Sequence, residues 1–400
     1  MHVNSCHGLM DIQTSLIIAT TLSCLIWIYL IVFNGWFWLA NQVLDAAASR
    51  KKAKWPAVVA VIPARNEAES IGAVIKSHLA TKYRGDFSLI VVDDQSNDGT
   101  GDIVRGLGQN SKRDVHVVSN KPLSEGWSGK LWAVHNGLQA AKDLAPNASY
   151  VLLTDADITH APDVLEKLVY KAEHDSRVLV SVMAHLDARG FWGGLLMPAF
   201  IFFFQKLYPF ASTNDKTSRV AGAAGGCMLV NRAALEEIGG VERIRGSLID
   251  DCSLALALKD PKGAKRSVFL GFDEGVVSLR DNRALNTIWN MVARTAFTQL
   301  HFSNLALIGA VIGMALTYLI APLAFFTVPL HQSVLAFFLG LGAWLMAMVA
   351  YCPTLIRYKK NTFWALLLPL SAMIYMAMTF SSAINHWRGK GGAWKGRTYS

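Results

Sequence analysis

Behind the apolar run Tyr150-Val151-Leu152-Leu153-Thr154 stand two carboxylates one residue apart, Asp155 and Asp157, with Ala156 between them. A buried strand that ends this way aims hard oxygen ligands at one point above a sheet edge. Such a pair suits Mg2+ or Mn2+, which take carboxylate oxygens and often bind through one or two of them plus substrate phosphates. The same tripeptide also reads as a solvated turn, because acidic residues gather at strand ends. Two more acid pairs stand out. Asp93-Asp94 closes the run Leu89–Val92, where two adjacent carboxylates are costly without a partner. Asp250-Asp251 opens an expected helix, Cys252–Lys259, whose dipole favours carboxylates at that end.

Positioning these groups falls to an alternation of short apolar runs and helical patterns. Strands are expected at Ala57–Ile62, Leu89–Val92, Val115–Val118, Val151–Leu153 and Val178–Met183. Helices are expected near Glu69–Thr81, Asp98–Gly106, Gly129–Leu144 and Pro162–His174. The alternation predicts an α/β fold, a mostly parallel sheet with helices on both faces. Ligands in such sheets bind beyond the carboxyl ends of the strands. After the first strand comes Pro63-Ala64-Arg65-Asn66-Glu67, after the second Asp93 to Thr100, and after the fourth the Asp155/Asp157 pair. Three polar, acid-rich segments thus converge on one edge, although Ser96 and Asp98 equally suit helix capping. No G-x-G-x-x-G follows the first strand, which removes a dinucleotide fingerprint. The segment Ser124 to Leu131 is no P-loop: Ser124 stands where the first glycine belongs and Leu131 where a hydroxyl must reach the metal.

The chain holds 400 residues, 52% hydrophobic and only 17% charged, with a mean hydropathy of +0.30. Its apolar residues are blocked. Ser15–Ala40, Ser303–Leu330, Gln332–Ile356 and Thr362–Ile384 contain no Asp, Glu, Lys or Arg, and each exceeds the roughly 20 residues needed to cross a bilayer. Between them Lys51–Asn282 has the charge density of a soluble domain. A cleaved signal peptide is disfavoured by Asp11, by the lack of a leading cation and by the length of the first run, so an anchor is expected. The cluster Arg50, Lys51, Lys52, Lys54 places the central domain in the cytoplasm by the positive-inside rule. A net charge of +9 fits an anionic membrane surface rather than nucleic acid, for which no module is present. Five cysteines without C-x-x-C spacing support neither a disulfide framework nor a zinc site. Phe191–Phe210 reads either as an interfacial helix, with Trp192, Lys206 and Tyr208 at headgroup level, or as a buried one. Four simple crossings would put both termini outside and export the basic tail Arg388, Lys390, Lys395, Arg397 against the charge rule. Either one apolar run is re-entrant or interfacial, or the tail is exported.

The ordered motifs V-I-P-A-R-N-E, V-V-D-D-Q-S-N-D-G-T, G-K-L-W-A-V-H-N-G, L-T-D-A-D and I-D-D-C-S-L resemble the inverting family 2 glycosyltransferases, which have a GT-A fold. With its C-terminal apolar segments and Trp394-Lys395-Gly396-Arg397, the chain looks most like the hopene-associated glycosyltransferases of bacterial hopanoid pathways, and more distantly like ceramide glucosyltransferases. The resemblance implies a UDP-sugar donor, a lipid acceptor, Mg2+ or Mn2+, and a multi-pass protein of the bacterial inner membrane with a cytoplasmic catalytic domain. By it, Pro63, Arg65, Glu67 and Asp94 would line the nucleotide pocket with Asp93 nearby. Asp155 and Asp157 would hold the nucleotide-sugar and its metal, Asp157 most directly. Lys130 would approach the sugar-diphosphate, although a plain exposed lysine in a first helical turn is the other reading. Asp250 and Asp251 would form the catalytic acid pair, with Asp251 as general base.

One motif departs. The family's Q-x-x-R-W is reduced to Met291-Val292-Ala293-Arg294-Thr295, keeping only Arg294, which argues against a processive polysaccharide synthase. Leu285–Leu300 is helical by period, with an apolar stripe of Leu285, Ile288, Trp289, Val292, Ala296 and Leu300 set to lie against lipid. Arg294 falls opposite that stripe, facing either the catalytic domain or solvent. The expected order is a leader 1–14, a transmembrane helix 15–40, a basic linker 41–55, a GT-A domain 56–283, an amphipathic interfacial helix 284–302, three membrane segments 303–385 and a basic tail 386–400. Competing functions are sugar transfer to polyprenyl phosphate, which predicts a cationic acceptor pocket, and a catalytically silent membrane scaffold.

Overall fold

A computed structural model describes residues 2–44, 54–260, 265–389, 393–394 and 397–398. Arg50 to Lys52 of the basic cluster, and Lys390, Lys395 and Gly396 of the tail, lie outside the described residues. The chain divides into two compact units, one of 41–187, 210–281 and 392–400, the other of 1–40, 188–209 and 282–391.

The first unit is an α/β body. Its strands are β1 (Ala57–Ala64), β2 (Phe87–Asp93), β3 (Val115–Ser119), β4 (Ala148–Thr154), β5 (Ile158–His160), β6 (Arg177–His185), β7 (Cys227–Asn231) and β8 (Ser267–Ser278). They form one sheet in the order β3-β2-β1-β4-β7-β6-β8-β5. The half from β3 to β4 is parallel. Beyond it β7 runs antiparallel to β4 and β6, β8 is parallel to β6, and β5 is antiparallel to β8. The sheet is therefore mixed. Strands β5, β7 and β8 add to those expected, and each hides its signal. β5 is three residues long, β7 is a short run between loops, and Asp273-Glu274 interrupts β8.

Side chains alternate across a strand, and β1 uses both faces. Val58, Ala60 and Ile62 join Ile71, Val104 and Leu168 on one side. Val59 and Val61 join Leu131, Val134 and Leu254 on the other. A strand covered on both faces reads as a continuous apolar run, which is why β1 was legible. The Gly129–Leu144 helix presses onto the sheet at Gly137, where a Cβ would meet Val61 Cγ1 at 2.5 Å and Val92 Cγ2 at 2.8 Å.

The second unit is helical. Among the described residues it contains five helices long and apolar enough to cross a membrane: Ile12–Val32, Gly190–Leu207, Asn304–Phe326, Val334–Arg357 and Thr362–Trp387. The first belongs to a helix that spans His2–Val32 rather than the expected 15–40. It stops because Asn34-Gly35-Trp36 turns the chain, with Gly35 and Trp36 at φ of 61° and 50°. Residues 188–209, expected inside a continuous 56–283 domain, belong to this helical unit instead.

Three of its segments run side by side. Gln13 Nε2 donates to the His331 carbonyl at 2.7 Å, Cys24 Sγ approaches the Leu339 carbonyl at 3.1 Å, and Arg357 donates to the Ala40 carbonyl at 2.8 Å. Val334–Arg357 is therefore parallel to the first helix. Trp27 Nε1 donates to the Thr317 carbonyl at 2.8 Å, so the stretch from Thr317 to His331 runs the opposite way. A π-helical turn, Ala315–Leu319, interrupts the Asn304–Phe326 helix just before it joins the trio. Gly190–Leu207 does not run alongside these three; it crosses one end of them. Lys206 accepts from Asn34 at its carbonyl and donates from Nζ to Tyr318 Oη, while Gln205 donates to Thr354 Oγ1. Its other half meets the last helix, where Ser371 and Tyr375 donate to the carbonyls of Leu195 and Leu196.

The helix expected over 284–302 is broken into Leu285–Ala293 and Ala296–Gln299. Its apolar stripe is covered by protein rather than left for lipid. Ile288 and Val292 are buried, Trp289 Nε1 donates to Ser381 Oγ at 3.2 Å, and Phe297 N–H donates to Ser382 Oγ at 3.0 Å.

Candidate active site

The parallel half of the sheet brings the loops after β1, β2 and β4 to one edge. A narrow cavity there is lined by Pro63, Lys130, Thr154, Asp155, Gly225 and Asp250. Lys130 is its centre. It sits in the first turn of the Gly129–Leu144 helix, whose Ser128 cap accepts from the Leu131 N–H. From there Nζ reaches Asp155 Oδ1 at 2.9 Å and Asp250 Oδ2 at 3.2 Å. Burial alone would lower the Lys130 pKa, but the charges of Asp155, Asp250 and Asp251 together hold it above the ordinary lysine range. The reading of Lys130 as a plain exposed residue gives way to a cation clamped between two carboxylates.

Asp251 lies beside this pair in the first turn of the Asp250–Lys259 helix. Its Oδ2 accepts the Gly225 N–H at 2.9 Å and its Oδ1 accepts the Cys252 N–H at 2.7 Å. Burial, reinforced by the charge of Asp250 and opposed by Lys130, pushes its pKa up to about 6. Asp251 is thus both a helix-terminal acceptor and a carboxyl tuned upward, the condition that suits a general base working near neutrality. A Cβ at position 225 would fall 3.4 Å from both Asp251 Oδ2 and Lys130 Nζ, so the glycine leaves that corner of the cleft unfilled. Thr154 ties the same loop to the end of β4, donating to the Gly226 carbonyl at 2.8 Å.

Asp155 is raised above the usual carboxylate range by burial first and by Asp157, against the pull of Lys130. Asp157 has a different partner, Arg280, whose Nη2 lies 3.3 Å from Oδ2. Two carboxylates carrying hard oxygens, each part-exposed, match the way Mg2+ and Mn2+ bind through one or two protein ligands and substrate phosphates. Among the described residues no group of three or more His, Cys, Asp and Glu is placed to hold a metal. Asp155 and Asp157 are the carboxylates here that could offer oxygens to such an ion.

The β1 and β2 loops interlock. Asp93 Oδ1 accepts the Ser96 N–H at 3.0 Å, and the Glu67 N–H donates to Thr100 Oγ1 at 2.9 Å. Asp94, expected to line a pocket, has no exposed side-chain surface. Its Oδ1 accepts from Asn120 Nδ2 at 2.8 Å, Asn136 Nδ2 donates on to Asn120 Oδ1 at 2.9 Å, and Arg65 Nη1 donates to the Asp94 carbonyl at 2.6 Å. Asp94 therefore holds Arg65 from behind. Pro63, next to last in β1, lies at the cavity wall, and Glu67 accepts from Ser70 Oγ at 3.0 Å. Arg294 belongs to the helical unit, where it follows the Leu285–Ala293 helix with an exposed side chain.

Asn120, Asn136, Gly225 and Arg280 take part without having been singled out in the sequence. Asn120 follows β3 and Asn136 sits within G-K-L-W-A-V-H-N-G, so strand-end logic and motif both touched them. Arg280 carried no local signal. The β5–β8 pairing, with Ile158 opposite Ser278, brings it to Asp157.

Residues 59–239, a little under half of the chain, match the family model described as glycosyl transferase family 2. An uncharacterised protein of Methanocaldococcus jannaschii is 29% identical over 160 residues, covering 38% of this chain and 66% of that one, so the chain spans just under two thirds of this relative. A mannosyltransferase of Pyrobaculum calidifontis, solved with GDP-Man and Mn2+, superposes with a TM-score of 0.54 at 18% identity over 95% of this chain and 99% of that one. At that identity the likeness speaks for the fold. Residues 59–239 are thus similar to glycosyltransferase family 2, and the mixed α/β sheet is of GT-A-like form.

Proposed function

We propose that this chain is a membrane-bound inverting glycosyltransferase that moves a sugar from a nucleotide-diphosphate donor to a lipid hydroxyl, a hopanoid or related lipid. One observation carries it: Lys130 bridges Asp155 and Asp250 beside Asp251, at the edge where the β1 and β4 loops meet. Asp251 takes the proton from the acceptor hydroxyl. The freed oxygen attacks the anomeric carbon as its bond to the diphosphate oxygen breaks, and the electron pair leaves with the nucleoside diphosphate. A single displacement inverts the anomeric centre. Lys130 lies where it can meet charge growing on the leaving diphosphate. Asp157, with Asp155, would hold Mg2+ or Mn2+, which when bound neutralises that charge without moving a proton. Asp94, fixed by Asn120 and Asn136, keeps Arg65 at the nucleotide end. The catalytic domain takes in most of 56–283, with 188–209 as an element facing the membrane.

Three crossings and two in-plane helices give the membrane arrangement that the helical unit supports best. The crossings are the first helix, the Asn304–Phe326 helix and Val334–Arg357. Gly190–Leu207 and Thr362–Trp387 would lie at the interface. For the former, support comes from its position across the ends of the trio and from burial of 56% of its length, against 17 to 33% for the other four. The end it crosses carries Lys206, Arg357, Lys359 and Lys360, while Gln13 and His331 mark the opposite end, as the positive-inside rule asks. An odd number of crossings returns the tail to the cytoplasm and removes the conflict that four crossings create.

The test is to incubate membranes containing the protein with labelled UDP- and GDP-sugars and look for a labelled lipid. Labelling should stop in chelator and return with Mg2+ or Mn2+. A product lipid labelled equally well by Asp251→Asn would remove the base assignment, and labelling that ignores chelator would remove the metal.

A further inference from the structure

We propose that Arg280 is an exchange residue for the donor's diphosphate: its guanidinium, ion-paired with Asp157, passes to a phosphate oxygen when a divalent cation takes that carboxylate. This rests on the glycosyltransferase reading above and adds a binding residue to it.

The geometry is built in from both sides. Antiparallel pairing of β5 with β8 sets Ile158 opposite Ser278, and the register continues outward. The Leu279 N–H donates to the Asp157 carbonyl at 2.8 Å, and the Arg280 N–H donates to Ser278 Oγ at 3.3 Å. The Arg280 backbone is therefore held beside Asp157. Its side chain is 40% exposed and can re-aim, while Asp157 is only 15% exposed.

Competition for one oxygen follows. Asp157 Oδ2 faces the guanidinium at 3.3 Å, so a metal that takes this oxygen competes with that cation for it. A guanidinium displaced from a carboxylate finds in a diphosphate another pair of anionic oxygens that its fork can bridge. The charge balance favours the exchange. Among the cluster's described contacts the cations that face Asp155, Asp157, Asp250 and Asp251 are Lys130 and Arg280. A divalent ion brings the cluster near neutrality, and each further negative charge on the donor then calls for a cation released from its carboxylate. Lys130 is held by two carboxylates at once, whereas Arg280 has one ion-pair partner and the more exposed side chain. Arg280 is the one placed to move.

The experiment uses the full chain in detergent or nanodiscs and reads binding, not turnover. Mn2+ affinity is measured by the electron-paramagnetic-resonance signal of the free ion, and UDP and GDP affinities by titration in saturating Mn2+. Arg280→Gln should bind Mn2+ at least about threefold more tightly, because Asp157 no longer has a competing partner. It should bind its preferred nucleoside diphosphate on the order of tenfold more weakly, having lost a charge-assisted contact. Arg280→Lys should keep Mn2+ affinity near wild type and recover only part of the nucleotide affinity, since a point charge lacks the planar fork. Arg280→Gln weakening both ligands, or changing neither, would overturn the exchange while leaving the wider reading intact. Wild-type protein that binds neither Mn2+ nor nucleotide would overturn both.

Discussion

Asp251 combines two properties that pull in opposite directions with pH. Its carboxyl is raised from the ordinary 3.8 to about 6 by burial and by Asp250. Between those values the folded chain keeps a proton that the unfolded chain releases. This group's contribution to stability therefore falls as pH rises through that window. The same ionisation makes the base competent, so kcat/KM should climb with pH to a plateau above about 6. A pH–rate profile checks this. Asp251→Asn should lower kcat by on the order of 10²–10⁴-fold with donor KM little changed, the loss expected for a positioned base. A variant retaining the wild-type acid limb would place the base elsewhere. Asn136 acts one step removed. Asn136→Ala leaves the Asn120 side-chain oxygen without its donor in a buried setting, at a cost of about 1–3 kcal/mol. It should raise donor KM more than it lowers kcat, because Arg65 loses its support and Asp251 does not.

At the scale of elements, the helix that carries Lys130 and the strand pair behind Asp155 set the precision of the site. Gly137→Ala would drive a methyl into Val61 and Val92 and push the Gly129–Leu144 helix off the sheet. The expected cost is about 1–3 kcal/mol, read as a lowered unfolding midpoint. On the opposite face His160 of β5 packs at a tilt against His78 of the Ala68–Leu79 helix, ring centroids 4.5 Å apart. Burial lowers both, His78 to about 4, and His78 adds to the lowering of His160. The unfolded chain takes up protons near 6.5 that the folded one refuses, so stability should fall as pH drops from about 6.5 towards 4. His160 Nε2 is 3.3 Å from Thr154 Oγ1, directly ahead of Asp155, so this buried pair sits behind the carboxylates. His78→Phe keeps an aromatic ring and should flatten the dependence of Tm on pH between 7 and 5. An unchanged slope would show that the pair does not titrate with folding.

For the whole molecule, reporter fusions test the three-crossing arrangement. A reporter active only in the cytoplasm should work at the C-terminus, and one active only after export should work at the N-terminus. Both ends on one side would restore an even number of crossings. Much of the rest was written in the chain itself. Strands β1, β2, β4 and β6 announce themselves because double-sided burial demands unbroken apolar runs, and the acid-rich loops follow because ligands gather at carboxyl edges. The existence of long apolar helices was equally plain, since a bilayer sets a minimum run. Tertiary structure decided what depends on partners distant in sequence. It clamped Lys130 between Asp155 and Asp250, turned Asp94 inward onto Asn120 and Arg65, and brought Arg280 to Asp157 through a strand pair too short to signal itself. It also laid Gly190–Leu207 across the helix ends instead of within the α/β body. The physical reason is common to all four. Local sequence fixes periodicity and polarity, but which charge neutralises which, and which apolar face meets another, is set only when distant segments share one packed volume.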